Sequence, residues 1–133
     1  MDHEPLTKAD LNSQFLASHD SVGSNRAESS LQRLQRLNPM VEVSADTSNL
    51  AEKTKEYFDG KFDIVIVTHC PSKDVLLSVN KICRESGIKF FSGDIYGFFG
   101  YCFADLIDHE YVEEVIKVCF SNISKRSIDA RRF

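Results

Sequence analysis

The sequence holds no run of about 18 apolar residues, so no helix built from it can span a bilayer. Its opening residues, Met1-Asp2-His3-Glu4-Pro5, are acidic and have no apolar stretch behind them, so a secretion signal is not expected. None of its four cysteines, Cys70, Cys83, Cys102 and Cys119, forms a CxxC pair, which removes the usual zinc and thioredoxin spacings. Base is not in excess either: 16 Lys and Arg stand against 20 Asp and Glu, a net charge of −4. That balance argues against binding of nucleic acid through bulk charge, because neutralising phosphates needs a basic surface, and leaves a local basic patch open. No strand, glycine-rich turn and helix open the chain. Gly93, Gly97 and Gly100 follow a late strand and lead into no helix, so they do not form a phosphate-binding fingerprint.

What is there reads as one domain of 133 residues, with 42% hydrophobic and 27% charged side chains, ordinary values for a globular fold. Without a secretion signal the thiols are expected reduced, in cytosol or nucleus, and to act as small buried apolar groups. Cys70 alone has a neighbour, His69, that could lower its pKa. A nucleophile pair and a bland strand end are the two readings of that dipeptide.

Breakers from Pro5 to Gly23 predict a long connection with at most one helical turn. A helix is predicted from Asn25 to Leu37, with Ala27, Leu31, Leu34 and Leu37 as its apolar stripe, Ser24 as N-cap and Asn38-Pro39 as its stop. Met40-Val41-Glu42-Val43 alternates as a short strand does. Residues 48–58 read as a polar helix ended by Asp59-Gly60. Residues 62–68 are the strongest strand, and their four consecutive aliphatics predict a central parallel strand buried on both faces. A helix opened by Pro71-Ser72 carries Val75, Leu76, Val79, Ile82 and Cys83. Strands follow at 88–93 and within 96–106. Tyr111, Val112, Val115, Ile116 and Cys119 fit a last helix with Glu113 and Lys117 paired, and 121–133 reads as a frayed tail. Alternating elements of this kind predict α/β with a mostly parallel sheet.

Several segments together carry a resemblance: Asp2-His3-Glu4-Pro5, Gln14-Phe15-Leu16, Ser21-Val22-Gly23-Ser24-Asn25-Arg26-Ala27-Glu28, Leu37-Asn38-Pro39, Ile88-Lys89-Phe90-Phe91-Ser92-Gly93-Asp94, Tyr96-Gly97-Phe98-Phe99-Gly100-Tyr101 and His109-Glu110-Tyr111-Val112-Glu113-Glu114. Over about residues 2–118 the chain resembles the MoeB/ThiF-like adenylation family of ubiquitin-like-protein activating enzymes, within it the small subunits of the SUMO-activating enzyme. The Asn-Arg-Ala-Glu piece is shared with the neddylation small subunit. The resemblance implies a Rossmann-like α/β fold, incomplete here: the first strand, glycine-rich turn and helix are absent. The expected division is a partial adenylation domain over 1–120 and a tail over 121–133.

The resemblance also implies a division of labour. A large catalytic subunit binds ATP and magnesium, adenylates the modifier and captures it on its own cysteine. The small subunit keeps a degenerate site, pairs with the large one and completes its active site. Asp2 matches the family's ribose-binding acid, and a solvated terminal acid is the other reading. Arg26, preceded by Asn25, falls where active members aim a lysine at the phosphates, and an exposed helix arginine is the alternative. Asp2, Asn25 and Arg26 are therefore the expected degenerate nucleotide site. The stretch Asn12-Ser13-Gln14 lacks the cation of active members, and Thr68-His69-Cys70-Pro71 lacks their magnesium-binding carboxylate. The resemblance thus implies no catalytic residue, no metal ligand and no cofactor bound by this chain, with ATP and magnesium in the partner. The implied partners are the large subunit and SUMO, not nucleic acid or membrane, and the implied location is nuclear and cytoplasmic. The alternative is a non-enzymatic module that binds the large subunit or the modifier without supporting activation. Strands left without the family's central neighbour predict a chain that is marginal or prone to associate when alone.

Overall fold

The computed structural model describes residues 1–70, 72–117 and 125–132. It divides into two compact units, Met1–Thr54 and Lys55–Phe133.

The first unit is built around α1, Arg26–Leu37. Asn25 caps it: the backbone there is extended, and Oδ1 accepts from the Ala27 and Glu28 amides at 2.9 and 3.1 Å. Ser24, the residue expected to cap, instead offers its carbonyl to the Leu6 amide at 2.8 Å. That bond belongs to a short antiparallel clasp in which Pro5 bridges Asn25 and the Arg26 amide donates to the Glu4 carbonyl at 3.0 Å. The clasp buries Leu6 completely. The connection before it holds two single 3-10 turns, Asp10–Asn12 and His19–Ser21. Arg33 ties it to α1 by donating from Nη1 to the Ala17 carbonyl at 2.7 Å.

The strand expected at Met40–Val43 is not formed. Its backbone groups find a side chain instead: Gln35 Nε2 donates to the Val41 carbonyl at 2.6 Å, and Gln35 Oε1 accepts from the Val43 amide at 3.2 Å. Periodicity alone could not separate a ladder from this local substitute. The helix expected over 48–58 is likewise broken. A 3-10 turn, Leu50–Glu52, ends at an extended Lys53, and a single helical turn, α2 at Lys55–Phe58, follows it.

The second unit carries a three-stranded sheet in the order β1-β2-β3, made of Ile64–Thr68, Lys89–Tyr96 and Phe99–Asp105. β1 and β2 are parallel, with Ile64 opposite Lys89 and Thr68 opposite Gly93. They are joined through α3, Lys73–Glu85, which Ser72 caps. The end of α3 follows from one glycine. Gly87 takes φ +72°, and the Ile88 amide reaches back to the Cys83 carbonyl at 2.8 Å, a six-residue closure that seats Ile88 in the core. Val67, Val79, Cys83, Ile88, Phe90 and Phe58 make that core.

β2 and β3 form an antiparallel hairpin closed by Gly97 and Phe98. Gly97 has φ +63°, the first position of a two-residue turn that favours glycine. The sheet is therefore mixed, not mostly parallel. Among the described residues β1 pairs with β2 alone. Val67 is buried, while Ile64 and Ile66 on the other face are 51% and 68% exposed.

The last helix expected at Tyr111–Cys119 is a strand, β4, at Glu110–Lys117. It pairs antiparallel with β5, Lys125–Arg132, in a second sheet. Tyr, Val and Ile favour the pleated backbone over the helix, and the 3-4 spacing that suggested a helix is weak over so short a run. Residues 125–132 of the expected tail are thus strand, whereas Cys119, 121–124 and Phe133 lie outside the described residues.

Candidate functional site

The first unit brings Asp2, Asn25 and Arg26 together. Asn25 Nδ2 donates to the Asp2 carbonyl at 2.9 Å while its Oδ1 caps α1, so one side chain fixes the start of the helix against the start of the chain. Arg26, the first residue of α1, then faces Asp2 as a fork. Nε donates to Oδ2 at 2.6 Å and Nη2 to Oδ1 at 3.1 Å. Its remaining arm, Nη1, lies 3.5 Å from Asp10 Oδ1. The Arg26 side chain is only 17% exposed.

Asp10 is the member of the site that sequence reasoning missed. It opens the 3-10 turn Asp10–Asn12, and Thr7 orients it by donating its amide and hydroxyl to Oδ2, each at 2.7 Å. The signal was a Thr-x-x-Asp turn, Thr7 to Asp10, inside a segment read only as irregular.

The electrostatics match the geometry. Burial pushes the Asp2 carboxyl up. The hydrogen bond from Arg26, that from the Glu4 amide and the guanidinium charge outweigh this and leave it below the usual aspartate value. Asp10 is held low chiefly by Thr7, with Arg26 adding to it. Arg26 is pushed up, mainly by its bond to Asp2.

Beside this cluster lies a cavity of about 200 Å³, lined by Asp2, Gln14, Arg26, Leu31, Leu34 and Val43 among others. Small-molecule pockets commonly measure roughly 300–1,000 Å³. The residues as arranged do not fit a nucleotide. Both carboxylate oxygens of Asp2 are occupied by Arg26, the guanidinium is spent on two acids, and the Ala27 and Glu28 amides are taken by the helix's own cap. Among the described residues no cluster of three His, Cys, Asp or Glu could hold a metal ion.

The other candidate, His69-Cys70, is not a pair acting on one point. His69 takes a positive φ of 54°, is exposed, and has Nδ1 4.0 Å from Asp94 Oδ2. The Cys70 thiol donates to the Ser72 carbonyl at 3.5 Å. Cys83 is wholly buried, and its thiol is pushed up by that burial and by the charge of Asp105. Cys102 is exposed.

The ThiF family model matches residues 1–130, and the chain belongs to that family. Its relatives include SUMO-activating enzyme subunit 1 of Xenopus laevis, 52% identical over 118 residues, which covers 89% of this chain and 34% of that protein. The human protein of the same name is 50% identical over 118 residues, with the same coverage of 89% and 34%, and the Danio rerio protein is 45% identical over 119 residues. This chain spans about a third of the length of these relatives. Among solved structures, E. coli MccB with succinimide is similar at a TM-score of 0.62 and 25% identity, covering 70% of this chain and 27% of that one. The α/β fold of the MoeB/ThiF kind is thus that of this chain.

Proposed function

We propose that this chain is part of the non-catalytic subunit of a heterodimeric SUMO-activating enzyme. In this reading it supports ATP-dependent adenylation of SUMO, and transfer to a thioester, by a large partner subunit that supplies ATP, magnesium and the catalytic cysteine. Identity near 50% to proteins named SUMO-activating enzyme subunit 1, over 89% of the chain, supports the assignment to SUMO over the neddylation alternative.

The observation that carries the non-catalytic role is the closed cluster of Asp2, Arg26 and Asp10. Adenylation needs cations and amides free to meet charge that develops on the transferring phosphate. Here the one cation at the head of α1 is neutralised by two acids of its own unit. On this reading the chain acts in the nucleus and cytoplasm, without nucleic acid or membrane, and by itself binds no nucleotide.

Co-purification with the large subunit, followed by ATP–pyrophosphate exchange with SUMO present, tests the proposal. A stable pair that catalyses exchange is the expected result. A stable pair without exchange replaces it with the second reading, a module that occupies the large subunit without supporting activation. Absence of any pair refutes both.

A further inference from the structure

The last residue of β3 holds a strained backbone in place. Asp105 is 9% exposed and stands opposite Phe90 in the sheet. Its carboxylate serves two partners at once. From the last turn of α3, Arg84 donates Nε to Oδ2 at 2.9 Å and Nη2 to Oδ1 at 2.8 Å. From the other side, the Ile107 amide donates to Oδ1 at 3.2 Å. Ile107 takes φ +62°. A β-branched residue there is an outlier, and the left-handed conformation disfavours an L-residue by a factor of roughly five or more. Strain of this kind persists only where the surroundings over-determine it. β3 ends at Asp105 and β4 opens at Glu110, so residues 106–109 carry the chain from the first sheet to the second. An aspartate bonded to the amide two residues on is a common local turn. The fork that clamps this aspartate comes from 21 residues earlier in the chain.

We propose that Arg84, Asp105 and Ile107 form a charge-held hinge between the two sheets. Arg84 clamps the ionised carboxylate, the carboxylate holds the Ile107 amide, and Ile107 in the left-handed conformation sets the direction in which residues 106–109 leave β3. The electrostatics agree. Arg84 lies where the negative end of the α3 dipole favours a cation. Its hydrogen bonds hold the Asp105 carboxyl below the usual aspartate value against the opposing effect of burial, with the Ile107 amide and Asn80 adding to them. The other titratable group of α3 that feels this carboxylate is the buried Cys83 thiol, which Asp105 helps push up. The Arg84 side chain is 60% exposed, so an acidic group arriving from outside can compete with Asp105 for it. Drawing Arg84 away frees Ile107 to relax to negative φ and redirects the chain after β3.

A double-mutant cycle on the full chain, read by urea denaturation, is the test. Ile107→Gly removes the strain and leaves the fork in place. If losing Arg84 releases Ile107, then Arg84→Ala in the wild-type background loses the fork and sheds the strain together. In the Ile107→Gly background there is no strain to shed. Arg84→Ala is therefore expected to lower the folding equilibrium constant about fivefold or more further in Ile107→Gly than in wild type. Additive effects, or a smaller loss in the glycine background, would overturn the proposal, because Arg84 would then have no hold on Ile107. A second measurement reads the backbone itself by nuclear magnetic resonance. Ile107 of the wild type is expected at positive φ, and a negative φ there overturns the hinge even if a variant fails to fold. Asp105→Asn keeps the local acceptor and removes the charge. Ile107 is expected to move to negative φ in it, and a retained positive φ would show that the turn alone holds the conformation.

Discussion

At the scale of single residues, the behaviour of this chain turns on Arg26. A guanidinium meets a carboxylate in two parallel bonds that no ammonium can reproduce. Arg26→Ala leaves Asp2 partly buried with an uncompensated charge. A loss of about 1 kcal/mol is expected at neutral pH, discounted for the partial exposure of the pair. Arg26→Lys is expected to recover only part of it. Thermal melts of the three proteins check this. The sign of the pH dependence follows from the acids. Asp2 and Asp10 titrate below an ordinary aspartate. Their contribution is complete above the unfolded-chain value of about 3.9 and is lost as pH falls through their lower folded values. Wild type and Arg26→Ala are therefore expected to converge in melting temperature as the solution is acidified below about pH 4. A gap that widens on acidification would contradict the assignment. Asp2, Asn25 and Arg26 were legible in the sequence as a set through family resemblance. Their mutual saturation was not, because it depends on Asp10 arriving from a loop whose turn chemistry carries no periodicity.

At the scale of elements, the legible parts are those whose signals are local and strong. α1 and α3 begin and end where caps and glycines place them, and β1 and β2 begin and end within a few residues of their apolar runs. The misread elements share a cause. At Met40–Val43 a neighbouring side chain satisfies the backbone. At Glu110–Lys117 a run of Tyr, Val and Ile fits either period, and only the pairing with β5 decides. The four aliphatics of β1 predict burial on both faces, yet among the described residues Ile64 and Ile66 are exposed. A sequence records what a strand can bury, not what stands beside it. The hairpin offers an element-scale prediction. Gly97 at φ +63° is costly for any side chain to replace, although a Cβ there would meet no atom within 4 Å. Gly97→Ala is expected to lower stability by about 1 kcal/mol through backbone strain alone. Urea denaturation of the two proteins measures it, and an unchanged midpoint would mean that the turn is not closed as described.

At the scale of the whole molecule, the chain keeps the family's α/β frame, and the head of α1 is filled by its own side chains. The two facts belong together. In the proposed role, a helix start that no longer holds phosphate is kept ordered by the charges that remain around it, and Arg26 supplies the bridge. In the proposed role, function therefore runs through a partner and not through catalysis by the chain itself. Calorimetric titration of ATP with magnesium into the purified chain tests that claim most directly. No saturable heat is expected, and none in Arg26→Lys. Saturable binding to the wild type that disappears in Asp2→Asn would show that the cluster opens for a nucleotide and would contradict it.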